Sequence, residues 1–289
     1  MGRPNVGKST LLNALVGEHL AVTSHHPQTT RDRIIGVLTE AEAQFVLVDT
    51  PGLHTPKTRL GARMIREARG AIEGSDILVF VTDVWKEPRP EVHADDVPLL
   101  ASLPSAPVVL VLNKIDRVKD KTLLLPLLGA YQAVRDFAAL VPMSARGKDG
   151  IPHLVDVVRE LLPRGERTYE EGTLTDRPAR FFAAEFVREQ ILDKTRAEVP
   201  HGVAVVVETF DESGKTVKID LVVVVDKESH KKIVIGKAGA LLKAVGTDAR
   251  KRIEAMLGRK VHLKLWVRVE PRWYESDARL VELGYGGAS

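Results

Sequence analysis

The first half of the chain alternates short, continuous apolar runs with helical patterns. Runs rich in Val, Ile and Leu occupy residues 34–38, 45–48, 77–81, 108–112 and 140–143. Helical periodicity fills residues 8–16, 62–73, 123–137 and 151–162. An unbroken apolar run of this length is typical of a strand covered on both faces. The alternation therefore predicts an α/β domain with a parallel sheet and flanking helices.

A polar stretch with proline and glycine then interrupts the periodicity, and a different order of elements follows it. We predict a first domain at residues 1–164, a linker at 165–178 and a second domain at 179–289. The second domain reads as helix, two strands, two helices and a final strand. That final strand, 261–269, alternates strictly between apolar and polar residues. Strict alternation indicates one buried and one solvated face, so this domain is predicted to be α+β.

Composition and charge narrow the functional classes. The 289 residues include no cysteine, which excludes disulfides, thiolate metal sites and a cysteine nucleophile. No window has the apolar length of a membrane span and the N-terminus lacks a signal-peptide pattern, so we expect a cytoplasmic protein. The net charge is only +3, but residues 227–272 carry 13 Lys/Arg against 4 Asp/Glu. This local excess suggests a phosphate-bearing partner for the second domain.

Residues 2–9 match the phosphate-binding loop pattern, in which two glycines flank four residues and Lys and Ser follow. The matching residues are Gly2, Arg3, Pro4, Asn5, Val6, Gly7, Lys8 and Ser9. The glycines let backbone N–H groups turn toward a phosphate, and the following helix presents its positive end. Lys8 would neutralise the β- and γ-phosphates, and Ser9 would ligate Mg²⁺.

A second motif follows the apolar run at 45–48. It consists of Asp49, Thr50, Pro51 and Gly52. After a phosphate loop, an Asp in this position can reach the magnesium shell, and the Gly52 N–H can meet the γ-phosphate.

Two further motifs predict which base is bound. Asn113, Lys114 and Asp116 follow the run at 108–112. The Asp116 carboxylate can accept from the ring N–H and the amine of guanine, a donor pair that adenine lacks. Ser144 and Ala145 follow the run at 140–143, where a backbone N–H should meet the guanine carbonyl. The set predicts a guanine-nucleotide site.

The order and spacing of these motifs resemble the translation-factor-like GTPases. Residues 2–9 together with Gln28, Thr29, Thr30 and Arg31 narrow the resemblance to the group that contains the Era GTPases. In that group a switch-I threonine senses Mg²⁺ and the γ-phosphate. We assign this metal-binding and catalytic role to Thr30, in preference to Thr29.

The source of catalysis is less obvious from the motifs. Leu53 stands where many GTPases carry a water-orienting glutamine, so we expect slow intrinsic turnover that needs a cation, a partner or ribosomal particles. Asn5 lies three residues before Lys8, where potassium-activated relatives in this GTPase group place an asparagine ligand. One hypothesis is therefore a K⁺ ion at Asn5, and the other is that Asn5 only shapes the loop.

The second domain carries its own motif, formed by Gly236, Lys237, Ala238 and Gly239. A Gly-x-x-Gly turn between two helices lets a nucleic-acid backbone approach closely, and in this order of elements it resembles the type II KH motif. Basic residues that could flank the groove are Lys231, Lys232, Lys243, Arg250, Lys251 and Arg252. Isolated tryptophans are more often packed than stacked on bases, so Trp266 and Trp273 are left out of the predicted site.

A GTPase domain followed by a type II KH domain is the Era arrangement. The resemblance implies GTP/GDP and Mg²⁺ as ligands, hydrolysis of GTP to GDP and phosphate, and binding near the 3′ end of small-subunit ribosomal RNA. It further implies a role in assembly of the small ribosomal subunit. Peripheral association with the inner face of the cell membrane is also implied for the family, and we expect a monomer.

The sequence departs from the family at its start. Family members begin with an apolar strand that leads into the phosphate loop, whereas here Met1 directly precedes Gly2. The first strand of the sheet is therefore expected to be missing, which would leave two neighbouring strands with unpaired backbone groups. The start has been assigned too late, the chain is truncated, or the GTPase is degenerate. Two functions stay open: a GTPase that switches RNA affinity, and an RNA-binding module whose nucleotide domain is structural or inactive.

Overall fold

The computed structural model describes residues 1–24, 26, 29–52, 56–85, 89–195 and 199–285. The strands are β1 (Ile34–Thr39), β2 (Gln44–Asp49), β3 (Leu78–Asp83), β4 (Val108–Asn113), β5 (Ala139–Pro142), β6 (Val203–Asp211), β7 (Val217–Val225) and β8 (Val261–Val269). The helices are α1 (Lys8–Val16), α2 (Arg59–Glu73), α3 (Asp96–Ala101), α4 (Leu124–Val134), α5 (Ile151–Leu161), α6 (Ala179–Lys194), α7 (Glu228–Ile235), α8 (Ala240–Leu257) and α9 (Asp277–Leu280).

The chain divides into two compact units. The first comprises residues 1–21, 30–55 and 64–176, and the second comprises residues 22–29, 56–63 and 177–289. Thus two short segments of the first half of the chain group with the second unit. No helix within the described ranges is long and apolar enough to span a membrane.

The core of the first unit is a parallel sheet in the order β3-β4-β5, as the apolar runs predict. All six residues of β4 are buried, because helices cover both faces of the strand. This is why β4 consists almost entirely of Val and Leu. The carboxyl ends of these strands lead into the predicted base-recognition motifs.

The strands β1 and β2 differ from the predicted parallel arrangement, because they pair antiparallel with Ile34 opposite Asp49. The reason is the length of the connection. Only residues 40–43 join the two strands, which is enough for a hairpin but far too short for a parallel crossover. The Glu40 N–H donates to the Ala43 carbonyl at 2.8 Å and closes this turn.

A cleft of about 820 Å³ lies between β2 and β3, which belong to different sheets. Met1 occupies its end: its amino group donates to the Val79 carbonyl at 2.7 Å, and the Val81 N–H donates to the Met1 carbonyl at 2.8 Å. These two bonds are those of a parallel ladder centred on Phe80. The edge of β3 that faces the cleft can therefore pair with a parallel strand, as it does with Met1.

Part of the predicted linker packs on the β1–β2 hairpin. The Gln44 side chain accepts from the N–H groups of Thr168 and Tyr169, each at 2.9 Å, and donates to the Tyr169 carbonyl. The Val37 N–H donates to the Leu174 carbonyl at 2.8 Å. Backbone groups of this stretch are therefore hydrogen-bonded to the hairpin. Up to Asp176 the stretch belongs to the first unit.

The second unit has the predicted α-β-β-α-α-β order, with a sheet β6-β7-β8 in which β6 and β7 are antiparallel and β7 and β8 are parallel. Along β8 the aliphatic residues are buried or half-buried, and the alternating residues His262, Lys264, Trp266 and Arg268 are exposed, as the alternation predicts. Helices α6 and α8 cover one face of the sheet. The turn between α7 and α8 carries the Gly-x-x-Gly motif.

Candidate functional site

The loop ahead of α1 has a backbone that few residue types can adopt. Gly2, Asn5 and Gly7 all have positive φ angles, of 135°, 63° and 105°. A Cβ atom on Gly2 would lie 2.1 Å from the Val81 carbonyl oxygen, and one on Gly7 would lie 2.3 Å from Nδ2 of Asn113. Only glycine fits at both ends of the loop. A loop with these backbone angles can turn successive N–H groups toward one point, as in the concave nests that bind phosphate.

Lys8 begins α1 and folds back over the loop. Its Nζ donates to the carbonyls of Gly2 and Arg3 at 3.0 and 2.8 Å. Burial lowers the pKa of Lys8 to about 8, with Arg3 adding to the shift and Asp49 opposing it. The ammonium group is therefore still largely charged at neutral pH, and a bound phosphate would favour the charged form further.

Ser9, Thr30 and Asp49 converge although they are far apart in the sequence. The Ser9 hydroxyl donates to Oδ2 of Asp49 at 2.7 Å, the Thr30 hydroxyl lies 3.2 Å from the same oxygen, and the two hydroxyls are 2.9 Å apart. Burial raises the pKa of Asp49, and Lys8 and the two hydroxyls oppose the rise. A buried carboxylate with two hydroxyls forms a hard oxygen donor set, which fits Mg²⁺.

The residues after Asp49 run beside the phosphate loop. Thr50, Pro51 and Gly52 are buried, and a Cβ atom on Gly52 would lie 3.1 Å from the backbone nitrogen of Pro4. Glycine thus allows this backbone to approach the loop closely, as the motif requires. Leu53 lies outside the described residues.

The predicted base-recognition residues also come together. Asn113 donates to the Val6 carbonyl at 2.8 Å, and its Oδ1 accepts the Ala145 N–H at 3.0 Å. The Ser144 hydroxyl donates to Oδ1 of Asp116 at 2.6 Å. Asp116 is exposed and can meet a base. The Ala145 N–H, one of those in the motif predicted to meet the guanine carbonyl, bonds to Asn113 and ties two motifs together.

Lys114 links the base end to the phosphate end. Its φ is 64°, and its Nζ donates to the Asn5 carbonyl and to Asp83, the latter at 2.7 Å. Through the bond to Asn5, the Lys114 side chain holds the base-recognition motif at a fixed distance from the phosphate loop. Asp83, at the end of β3, is one of the residues that motif matching did not predict.

The Arg3 side chain, predicted to be part of the nucleotide site, points into the protein. It donates to Asp96 at 2.8 Å and to Asp83 at 3.1 Å. Asp96 is fully buried and also accepts from Thr82 and Tyr131, at 2.6 and 2.7 Å. Burial and the neighbouring Asp96 raise the pKa of the Tyr131 hydroxyl well above its usual range. Arg3 therefore anchors the loop to the end of β3 and to α3. No motif predicts this role, because its partners are scattered along the sequence.

The Gly-x-x-Gly turn in the second unit has the backbone its sequence suggests. Gly236, Ala238 and Gly239 have φ angles of 73°, 50° and 79°. A Cβ atom on Gly236 would lie 2.8 Å from Cβ of Leu241, so only glycine lets α7 turn into α8 here. Lys237 and Ala238 are exposed at the tip. Both the backbone and a positive charge are thus accessible to a phosphate chain.

Some of the basic residues predicted to flank the RNA groove pair with acidic side chains, and others are exposed. Arg252 pairs with Glu189 of α6, and Lys251 lies 3.8 Å from Asp248, whereas Lys232 is exposed beside the turn. Lys243 and Arg250 are also exposed, and Lys231 is half-buried. The omission of Trp273 is correct, since its buried indole donates to the Gly202 carbonyl at 3.1 Å.

Known protein families and relatives match the sequence of both units. A model described as 50S ribosome-binding GTPase matches residues 1–114, and a KH domain model matches residues 198–274. The GTPase Era of Trichlorobacter lovleyi is 44% identical over 286 residues, covering 99% of this chain and 95% of the relative. GTPase Era of Xanthomonas oryzae pv. oryzae is 45% identical over 286 residues, with the same coverage.

Two solved structures match over both units. A variant of Aquifex aeolicus Era bound to GDP·AlF4⁻ superimposes with a TM-score of 0.93 at 36% identity, covering 99% of this chain and 97% of the other. Era in complex with MgGDPNP and nucleotides 1506–1542 of 16S ribosomal RNA gives a TM-score of 0.93 at 35% identity, covering 99% and 96%. Because the identity extends over nearly the whole of both chains, the protein belongs to the Era GTPase family.

Proposed function

We propose that this protein couples GTP hydrolysis to binding of small-subunit ribosomal RNA near its 3′ end and thereby assists assembly of the small ribosomal subunit. The convergence of Ser9, Thr30 and Asp49 beside Lys8 is the single observation that carries the nucleotide half of this proposal. Side chains from three separate parts of the sequence form one set of hard oxygen donors there, which supports a shared Mg²⁺ ligand. As a member of the Era family the protein is a GTPase, which disfavours the alternative of an inactive nucleotide domain.

Within the nucleotide site, each motif has a separate proposed role. The N–H groups of residues 2–9 and the Lys8 ammonium hold the phosphates, and Ser9, Thr30 and Asp49 hold Mg²⁺, which would neutralise charge on the β- and γ-phosphates. The Gly52 N–H meets the γ-phosphate. Asp116, supported by Ser144, selects guanine. Asn113 and Lys114 position these groups relative to the loop.

The RNA partner is proposed from the second unit. An Era relative has been solved with nucleotides 1506–1542 of 16S ribosomal RNA, and the turn of residues 236–239 here has the exposed, glycine-based backbone that such a chain needs. The excess of Lys and Arg in residues 227–272 adds long-range attraction.

We expect the double substitution Lys237→Asp and Ala238→Asp to weaken binding of a transcript of this 3′-terminal segment on the order of 100-fold, because two carboxylates would face the phosphates. Asp tolerates the left-handed backbone at position 238, so the turn itself should survive. The matched control is Lys215→Asp with Thr216→Asp, an equal charge change at two exposed positions before β7. Equal losses in both doubles in an electrophoretic shift assay would place the RNA elsewhere, and GTP binding should be unchanged in both.

We also propose that K⁺ assists catalysis at Asn5, beside the phosphates. Asn5 is exposed and has a left-handed backbone (φ 63°), and its carbonyl accepts a hydrogen bond from Lys114, which fixes the residue's place in the loop. A cation there would supply the positive charge that an arginine finger provides in other GTPases.

Turnover should then be several-fold faster in KCl than in NaCl at equal ionic strength. Asn5→Gly should remove the difference without greatly weakening nucleotide binding. Glycine is a better test than alanine because it accepts the positive φ without strain. Equal rates in the two salts for the unsubstituted protein would contradict the proposal and leave a bound partner as the source of catalysis.

We further propose that the protein acts as a monomer in the cytoplasm, with peripheral association at the inner face of the membrane. The family resemblance supports this. Co-sedimentation with anionic vesicles, compared with neutral ones, would test the membrane part.

A further inference from the structure

Helix α6 is buried on more than its apolar face. Phe182, Phe186 and Ile191 face the sheet, as expected, but Arg188 and Glu189 are each only 1% exposed. Charged side chains are almost never buried to this extent unless they are paired. The polar side of α6 must therefore have specific partners.

Those partners are in the short segment of residues 22–29, which belongs to the same compact unit as α6. The Arg188 guanidinium donates to the Thr29 carbonyl at 2.5 Å, and Glu185 holds the same guanidinium from one turn earlier. Glu189 accepts from the N–H and the hydroxyl of Thr23, at 3.3 and 3.4 Å. Both ends of the segment are thus bonded to neighbouring positions of one helix.

Glu189 also has a partner on the RNA-binding side of its unit. It pairs with Arg252 of α8, the helix that begins directly after Gly239. The Arg252 side chain is 40% exposed, so it can turn to solvent if Glu189 is changed. Burial and the charge of Glu189 raise the pKa of Asp193, which lies one turn further along α6 and accepts a hydrogen bond from Ser24.

Thr29 is covalently joined to Thr30, whose hydroxyl lies with Ser9 and Asp49. We propose that Arg188 and Glu189 are positioning residues that fix the backbone at Thr29 and Thr23 and thereby hold the Thr30 hydroxyl in place for Mg²⁺. In this role they act through their hydrogen bonds to Thr29 and Thr23. This inference rests on the role proposed above for Thr30.

The experiment titrates Mg²⁺ against the whole chain bound to a fluorescent derivative of GDPNP and, separately, of GDP. The Mg²⁺ midpoint is the concentration at which half of the nucleotide stays bound. Arg188→Met removes the donors but keeps most of the side-chain volume. Because a charge-assisted hydrogen bond to the Thr29 carbonyl is lost, the Mg²⁺ midpoint with GDPNP should rise about tenfold. The midpoint with GDP should not move, since the switch threonine is needed only when a γ-phosphate is present. The kcat for GTP should fall while KM changes little, and Arg188→Lys should restore part of the loss.

Two controls separate positioning from general damage. Arg180→Met removes an exposed arginine from the first turn of the same helix and should match the unsubstituted protein. Glu189→Gln keeps an acceptor for Thr23 but loses the ion pair with Arg252, so a smaller shift is expected. If the thermal melt shows that Arg188→Met does not fold, the Mg²⁺ midpoint of Glu189→Gln with GDPNP decides the question, and an unshifted midpoint in that variant contradicts the proposal.

Thr30→Ala distinguishes failure of this inference from failure of the proposed site. If Thr30→Ala shifts the GDPNP midpoint but folded Arg188→Met does not, the positioning role is wrong. Equal shifts with GDP and GDPNP in Arg188→Met would also overturn it, because they indicate a general loss of structure. An unshifted midpoint in Thr30→Ala would instead overturn the metal role of Thr30 itself.

Discussion

Replacing Asp116 by Asn should convert the protein from a GTP-binding into an XTP-binding protein. The Asp116 carboxylate is exposed and oriented by the Ser144 hydroxyl at 2.6 Å, so it can accept from both donors on the edge of guanine. An amide at the same place can donate to the carbonyl that replaces the guanine amine in xanthine. Sites that use hydrogen bonds discriminate strongly, because the wrong ligand leaves polar groups unpaired. We therefore expect the GTP/XTP preference to change on the order of 10⁴-fold.

The measurement is competition between GTP and XTP for a fluorescent nucleotide. Asp120→Asn is a matched control, because it removes the same charge from the same connection. Asp120 is exposed and accepts hydrogen bonds from the N–H and the hydroxyl of Thr122, so its replacement should not alter base preference. Unchanged GTP preference in Asp116→Asn would show that another group reads the base.

Fusing an apolar strand ahead of Met1 should stabilise the first unit most strongly at acidic pH. In a polypeptide that begins at Met1, burial lowers the pKa of the terminal amine from 8.0 to about 5. The unfolded chain then binds more protons than the folded one between these pH values. Stability therefore falls as the pH drops from 8 to 5, by about 1.4 kcal/mol per pH unit. A peptide bond in place of the amine removes this loss.

An extension of about six residues would also enter the cleft between β2 and β3, where Met1 already makes the bonds of a parallel ladder. At pH 5 the extended protein should melt roughly 10 °C higher than the chain that begins at Met1. GTP affinity should also rise, because the new strand leads directly into the phosphate loop.

A Gly/Ser extension of equal length is the control. It removes the amine but brings no apolar side chains, so it should abolish the pH dependence without adding stability at pH 8. If the apolar and the Gly/Ser extensions melt alike at pH 8 and bind GTP alike, the cleft does not accept a strand.

The sequence determined the parts of the site whose signal is local. Gly2 and Gly7 have positive φ angles, which their places in the phosphate-loop pattern predict. The apolar runs of β3 and β4 predict burial on both faces, and the alternation along β8 predicts one wet face, because side-chain direction follows from strand geometry within a few residues. Motif spacing was therefore enough to select Ser9 and Asp49, whereas Thr30 was selected from the family resemblance; the structure brings the three side chains together.

Tertiary structure decided what depends on partners far away in the chain. Arg3 lies in a phosphate loop, yet its side chain pairs with Asp96, 93 residues later. Arg188 looks like a solvated residue on the polar side of an amphipathic helix, but it is buried against Thr29, 159 residues earlier. Hydrophobic periodicity marks which face of α6 packs on the sheet. It carries no information about a second, polar contact, because long-range hydrogen bonds leave no period in the sequence.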